Sequence, residues 1–378
     1  MGTSRAGGGV TVPFLDLRPS HEQLREQLLH DVAELIDSGA FVNGPDVALF
    51  EEEFARWCGT DDCIGMASGL DALRLTLLAW GVQPGDEAIV PAHTFVATVE
   101  AVTQAGLTPV LVDVSESDDG LDPAATAAAI GARTRFVVPV HLYGQLADLV
   151  RLRELADAHD VRLVEDAAQA HGAERDGLRA GAVGAAGCFS FYPAKNLGAM
   201  GDAGAVTCSD PELARVLRAL REHGQTAKYE HEREGYTARL DTVQALVLRR
   251  KLALLDDWNE ERRAAAAYYL EHLADTGDLR LPPVAPHSSP VWHLFVVRVP
   301  DPGELGRFLA DRGVATGRHY PQPVHLTGAY APLGHARGAF PVAEGLAETG
   351  LSLPVYPGIT EEQLDHVVAS VRAYFDGG

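Results

Sequence analysis

Three short segments carry residue types that do chemistry, each where the chain is expected to turn. The first is Phe189-Ser190-Phe191-Tyr192-Pro193-Ala194-Lys195-Asn196-Leu197-Gly198, which sets a lysine just after an apolar run. An amine held near apolar surface has a depressed pKa and becomes a nucleophile able to form an imine. Taken alone, the same segment reads at least as well as a loop lysine in water. The second is Val164-Glu165-Asp166-Ala167-Ala168-Gln169-Ala170-His171-Gly172, with two acids directly after a buried-type strand. A carboxylate there is costly to desolvate unless a cation faces it, and a protonated pyridine nitrogen is one such cation. Taken alone, a capping or ion-paired Asp explains it. The third is Ala67-Ser68-Gly69-Leu70-Asp71-Ala72. Gly69 permits a tight turn, and free N–H groups at a helix start cup a phosphate. Taken alone, an ordinary strand-to-helix turn with a Ser or Asp cap is the better explanation.

Together the three segments supply a phosphate cup, a partner for a pyridine nitrogen and an imine-forming amine. Pyridoxal phosphate is a cofactor that needs all three. Lysine usage points the same way. Only Lys195, Lys228 and Lys251 are lysines among 31 basic Lys and Arg residues. An arginine cannot replace an imine-forming amine.

These segments need elements to bring them together. Apolar runs at Cys63–Ser68, Glu87–Val90, Pro109–Asp113, Phe136–Val140 and Val161–Glu165 alternate with helical patterns at Leu70–Trp80, Thr94–Ala105, Pro123–Ile130 and Ala147–His159. Such alternation implies an α/β fold with a mostly parallel sheet between helices, and ligands at the carboxyl ends of its strands. Two further strands, Gly187–Phe191 and Gly204–Cys208, follow without a helix between them. A long helical pattern over Asp241–Leu273 reads as a bridge or a bent helix, and Pro282, Pro283, Pro286 and Pro290 mark a linker. A strand at Trp292–Val299 and helices at Pro302–Arg312 and Glu361–Phe375 then read as a smaller α+β domain. The expected division is a flexible tail over 1–11, a large cofactor-binding domain over 12–250 and a small domain over 251–378 that includes the bridging helix.

Composition limits the partners. A net charge of −22 argues against nucleic acid. No run approaches the length of a membrane span, and the N-terminus has no secretory pattern, so a cytoplasmic protein is expected. Cys58, Cys63, Cys188 and Cys208 form no metal-binding spacing, so no metal is expected.

The chain resembles the DegT/DnrJ/EryC1/StrS family of pyridoxal-phosphate-dependent sugar aminotransferases, of the aspartate-aminotransferase fold type I. The resemblance runs from Val12-Pro13-Phe14-Leu15-Asp16-Leu17 to the C-terminal helix. It includes Gly44-Pro45, Pro91-Ala92-His93-Thr94-Phe95-Val96-Ala97-Thr98, Pro139-Val140-His141-Leu142-Tyr143-Gly144-Gln145, the segments around Asp166 and Lys195, His223-Gly224-Gln225, Lys228-Tyr229 and His319-Tyr320-Pro321. It implies a seven-stranded sheet and a homodimer with shared active sites. It also implies that Lys195 forms the imine and shuttles the proton, that Asp166 pairs with the pyridine nitrogen, and that Gln169 lies near the 3-hydroxyl. Phe95 stacks on the ring, and Ser68, Gly69, Leu70 and Ser190 bind the phosphate. Thr237 stands where many relatives carry an Asn that reaches the phosphate across the dimer. Leu70 stands where a hydroxyl residue is common. His93, Lys228, Tyr229, His231, Arg239, His319, Tyr320 and His325 are the substrate-binding candidates, each equally readable as an ordinary surface residue.

The implied reaction moves an amino group from L-glutamate or L-glutamine to a nucleotide-linked keto-deoxysugar, dTDP-bound, with C4 favoured over C3. The pathway would make unusual sugars for secondary metabolites such as antibiotics. A cyclitol aminotransferase would share every cofactor residue. A non-catalytic regulator on the same fold is the remaining alternative, and the full cofactor set argues against it.

Overall fold

In the computed structural model, residues 10–377 are described. The tail expected over 1–11 therefore lies outside the described residues except for Val10 and Thr11. Seven strands form the main sheet: β1 (Asp62–Met66), β2 (Glu87–Pro91), β3 (Thr108–Val112), β4 (Thr134–Val137), β5 (Arg162–Asp166), β6 (Ala186–Ser190) and β7 (Gly204–Cys208). Their spatial order is β1-β7-β6-β5-β4-β2-β3. The neighbours from β6 through β3 pair in parallel. β7 alone runs the other way, antiparallel to both β6 and β1. β1 through β6 consequently end on the same edge, and the helix-free β6–β7 connection is the segment carrying Lys195.

Among the described residues there are twelve α-helices, of which α10 and α12 pack away from this sheet: α1 (Arg18–Ser38), α2 (Pro45–Cys58), α3 (Gly69–Ala79), α4 (Val96–Gln104), α5 (Pro123–Ala129), α6 (Leu149–His159), α7 (Pro211–Arg221), α8 (Thr242–Leu252), α9 (Leu255–His272), α10 (Pro302–Asp311), α11 (Pro341–Thr349) and α12 (Glu361–Phe375). Many start from local chemistry. Asp122, Asp148, Asp210 and Asp301 cap their helices through side-chain oxygens, and Thr360 with Gln363 makes a reciprocal capping box.

Alternation along the strands fills two cores, one on each face of the sheet. Ile89, Val137, Leu163, Phe189 and Ala205 belong to one, with α2, α6 and α8. Val90, Phe136, Val164, Cys188 and Val206 belong to the other, with α3, α4 and α7. A third core joins Val12 and Tyr269 to Phe295, Leu305, Leu351 and Val371. Here the short strand Phe295–Arg298 pairs antiparallel with Gly350–Leu353, and Val12 bridges Val314.

Three expectations change. The helical pattern over Asp241–Leu273 is two helices, α8 and α9, parted at Ala253–Leu254. The break turns both Leu252 and Leu255 into the first core. The strand expected at Trp292–Val299 begins only at Phe295, because Trp292 takes φ 45° and turns the chain. The N-terminal helices, α11 and the strand Gly350–Leu353 have no counterpart in the sequence reading.

Phe54 of α2 is fully buried, edge-on to Phe189 at 5.0 Å and to Phe191 at 5.3 Å. Phe54→Ala should cost about 3–5 kcal/mol, the usual loss for emptying a buried aromatic site. Chemical denaturation should show a lowered unfolding midpoint, and an unchanged midpoint would contradict this packing.

Candidate active site

At the end of β1, Ser68 caps α3, its Oγ accepting the Asp71 N–H at 3.0 Å. A Cβ on Gly69 would lie 2.6 Å from the Ser190 Cβ, and one on Gly204 would lie 2.3 Å from the Ser68 carbonyl oxygen. Glycine at both positions lets this turn press against the ends of β6 and β7. Ser68, Gly69, Leu70 and Ser190 thereby gather at one corner. The Gly69 and Leu70 N–H groups find no acceptor among the described residues. They are free helix-start donors of the kind that bind an anion.

Asp166 ends β5 and is buried. Its Oδ2 accepts from Thr98 Oγ1 at 2.7 Å, and its Oδ1 accepts from the Ala168 N–H at 3.2 Å. Thr98 is in turn 2.8 Å from the Thr94 hydroxyl. Burial raises the Asp166 pKa above the usual carboxylate range, opposed by these bonds and by the charge of Lys195. Among the described residues no cation pairs directly with it. Glu165, one residue earlier, faces the other side of the strand. Its carboxylate accepts from His141 Nε2 at 2.8 Å and from the backbone N–H groups of Gly181, Val183 and Gly184. Burial alone would push Glu165 up, but the His141 bond and charge and the backbone donors outweigh it and leave the pKa lowered.

Gln169 continues the same segment. Its Oε1 accepts the Tyr143 N–H at 2.7 Å, which turns its amide nitrogen toward the Tyr320 hydroxyl at 3.1 Å. Tyr143 holds φ 60°, and that backbone turn aims its N–H at Gln169. Phe95 is the extended residue just before α4, its ring half exposed and tilted 5.4 Å from Tyr320.

Lys195 stands in the β6–β7 loop. Its backbone N–H donates to the Tyr192 carbonyl at 2.8 Å, and its amine has no hydrogen-bond partner among the described residues. Burial pushes the amine down to about 8, against the pull of the Asp166 charge. Three buried or half-buried histidines surround it electrically. Burial, reinforced by the Lys195 charge, lowers His171 to about 3, His319 to about 4 and His293 well below the imidazole value. All three are therefore neutral at pH 7. Asn196 is held from three sides by Asn259 at 2.9 Å, the Val291 carbonyl at 2.8 Å and His293 at 3.3 Å.

The substrate candidates divide. His93 is buried, 2.8 Å from the Tyr143 hydroxyl, and that hydroxyl also donates to the His319 carbonyl. His319 stacks on Phe14 and lies 2.8 Å from Ser352 Oγ. His93, Tyr143, His319 and Tyr320 thus meet beside Gln169. His325, expected as a substrate contact, is buried against Phe340 and bonded to Glu344 at 3.0 Å, which leaves it no open face. Lys228, Tyr229 and His231 sit on the exposed hairpin Gln225–His231, with no contact to Lys195 or Asp166 of their own chain among the described residues. Thr237 is exposed and bonded to His223 at 3.1 Å. Arg239 is paired with Glu222 at 2.8 Å, beside the β1 turn, where the Ala67 N–H donates to the Ala238 carbonyl.

Thr98, Tyr143, Asn196 and His293 were not singled out in the sequence. For Thr98 a signal existed: it lies one helical turn after Thr94, facing the end of β5.

The deprotonated amine is the form that attacks an aldehyde. The rate at which Lys195 of the cofactor-stripped protein reacts with an aldehyde should rise with pH about a midpoint near 8, the value burial imposes. Asp166→Asn removes the charge that favours the ammonium, so it should move the midpoint lower. Stopped-flow absorbance reads both, and a midpoint at the ordinary lysine value would refute the buried-amine geometry.

The model of the DegT/DnrJ/EryC1/StrS aminotransferase family matches residues 22–372. A Streptomyces venezuelae protein named dTDP-3-amino-3,4,6-trideoxy-alpha-D-glucose transaminase is 50% identical over 96% of this chain and 96% of its own. The crystal structure of S. venezuelae DesV in complex with a ketimine intermediate superposes with a TM-score of 0.95 at 49% identity, covering 97% of this chain and 99% of that one. The Bacillus subtilis NtdA structure with bound cofactor PMP gives a TM-score of 0.90 at 29% identity, covering 99% of this chain and 87% of that one. With its motifs, sheet order and near full-length match, this chain belongs to the DegT/DnrJ/EryC1/StrS aminotransferase family.

Proposed function

We propose that this chain is a pyridoxal-phosphate-dependent aminotransferase that transfers an amino group from L-glutamate or L-glutamine to a dTDP-linked keto-deoxysugar. The observation that carries the reading is the placement on one sheet edge of Asp166, a buried carboxylate with no cation bonded to it among the described residues, together with Lys195, a buried amine lowered to about 8. The residues fit the cofactor. A ring N–H supplies the cation that Asp166 lacks, and the unpartnered N–H groups at Gly69 and Leu70 with the Ser68 and Ser190 hydroxyls suit a phosphate dianion.

Bound pyridoxal phosphate supplies a carbonyl that takes up nitrogen and a protonated ring that draws electrons from the adjoining carbon. Asp166, oriented by Thr98 and Ala168, holds the proton on the ring nitrogen. Gln169 presents its amide N–H to the ring's hydroxyl side, fixed by Tyr143. Phe95 covers one ring face. The Lys195 Nζ would take the proton from the substrate carbon bearing nitrogen and deliver it to the carbon that entered as the cofactor's carbonyl, since its pKa of about 8 lies close to working pH. The neutral His171, His293 and His319 add no charge that would depress that amine further.

The name of the Streptomyces relative carries the amine at C3. On that support we propose a 3-keto sugar as acceptor, in place of the C4 position favoured from the sequence. His93, His319 and Tyr320 border the sugar. Lys228, Tyr229, His231, Arg239 and Thr237 complete the neighbouring subunit's site in a homodimer. This is supported by exposed apolar Phe41, Val42, Leu49, Tyr192 and Met200, of which Phe41, Val42 and Met200 abut the start of α8. A cytoplasmic setting agrees with four free, buried cysteines. No helix among the described residues is long and apolar enough to cross a membrane.

The purified protein should be yellow, lose that colour with L-glutamate, and regain it with a dTDP-linked 3-keto sugar but not a 4-keto sugar. Regain with the 4-keto sugar alone would reverse the regiochemistry. Lys195→Ala should lose the visible band while still binding the cofactor. Asp166→Asn should lower turnover by about 100-fold or more with the fold intact, as loss of a preorganised electrostatic partner does. Near-normal turnover in either variant would remove that residue from its role.

A further inference from the structure

Helix α8 presents Gln244 and Lys251, two turns apart on one face, to the loop that carries Lys195. Gln244 Oε1 accepts the Met200 N–H at 2.8 Å. Lys251 Nζ donates to the Gly198 carbonyl at 2.6 Å and lies 3.0 Å from His21 Nε2. The direction of the second bond follows from His21. Its Nδ1 is 2.6 Å from the Leu17 carbonyl, which can only accept, so Nδ1 carries the proton and Nε2 offers a lone pair to Lys251.

The surroundings of this amine are unusual. Lys251 is 3% exposed, and among the described residues no carboxylate pairs with it. Burial alone pushes it down to about 8. A buried ammonium without a counter-ion is costly, and a methionine would fill the same space without that cost. What methionine could not do is satisfy the Gly198 carbonyl, for which Lys251 is the sole donor among the described residues.

That carbonyl belongs to a tightly closed loop. The Lys195 N–H donates to the Tyr192 carbonyl, and the Ala199 N–H returns to the Phe191 carbonyl, both at 2.8 Å. A Cβ on Gly198 would lie 2.3 Å from the Pro193 carbonyl oxygen, so the two arms touch backbone to backbone. Near the tip, the Gly198 carbonyl is the one Lys251 grips.

We propose that Lys251 is a positioning residue for the Lys195 amine, clamping the closed 192–199 loop to α8 through the Gly198 carbonyl and tying it to α1 through His21. This rests on the reading of Lys195 as the imine-forming residue. The test compares the wild-type holoenzyme with Lys251→Met by backbone hydrogen exchange and by pyridoxal phosphate affinity. Exchange across residues 192–201 should quicken while α12 is unchanged. The cofactor should bind about ten-fold more weakly, as loss of one hydrogen bond to a charged group implies, and the visible band should still form. Unchanged exchange and affinity overturn the proposal. A visible band that survives Lys195→Ala would instead overturn the imine reading, and the exchange result still decides the clamp.

Should Lys251→Met not fold, the wild-type protein decides the matter. With only three lysines, selective 15N-lysine labelling resolves each one. A slowly exchanging ammonium signal, weakened by His21→Leu, supports the clamp. Its absence at pH 6.5, about 1.5 units below the pKa of about 8 where the amine is protonated, overturns it.

Discussion

Burying a carboxylate with no cation bonded to it is among the more expensive things a protein interior does. Strand β5 does so at its last residue, Asp166, directly after a second buried acid, Glu165. The two acids are handled differently because successive strand residues face opposite sides. Glu165 is satisfied completely by His141 and three backbone donors, so its charge is a structural fixture. Those donors come from the 181–184 turn, so the same carboxylate also folds the segment leading into β6. Among the described residues Asp166 receives only Thr98 and Ala168. It is oriented but electrically unfinished, and the rest of the site is arranged around that deficit.

The sheet turns this pair of acids into a site. Six strands end on one edge, which delivers the Ser68 turn, Phe95, Asp166 and Ser190 together. The amine arrives by a different device. A helical crossover after β6 would carry the chain away over one face. The antiparallel return to β7 keeps it local, and Lys195 sits on a short loop pinned at Phe191, Asn196 and Gly198. The break in the alternating rhythm is thus the structural condition for placing an amine close enough to Asp166 for their charges to interact.

Much of this was legible because it follows from local periodicity. The strands, the crossover helices and the positions of Ser68, Asp166 and Ser190 at strand ends come from alternation and turn chemistry within short windows. What escaped depends on contacts between distant segments. Lys251 lies in an unremarkable basic run, Arg249-Arg250-Lys251, and its significance appears only when α8 meets the loop at Gly198. Residue type alone cannot distinguish His319, stacked at the site, from His325, sealed against Glu344. The break at Ala253–Leu254 escaped for a similar reason. Both flanking sequences favour helix, and the turn is set by where Leu252 and Leu255 must pack.

The distribution of charge explains how a chain of net charge −22 suits anionic ligands. Arginines near the site are already committed, Arg239 to Glu222 and Arg298 to Asp119. The histidines around Lys195 are held neutral by burial and by the lysine itself. Attraction therefore has to come from oriented N–H groups, at the start of α3 and at the Gln169 amide, rather than from free cations. Such donors act over short distances and demand correct placement, which a diffuse positive field does not. They also leave the Lys195 amine without a cationic neighbour that would drive its pKa further down. An amine near 8 beside an oriented carboxylate can both hold a proton and give it up near neutral pH. Proton transfer at the carbon bearing nitrogen requires both.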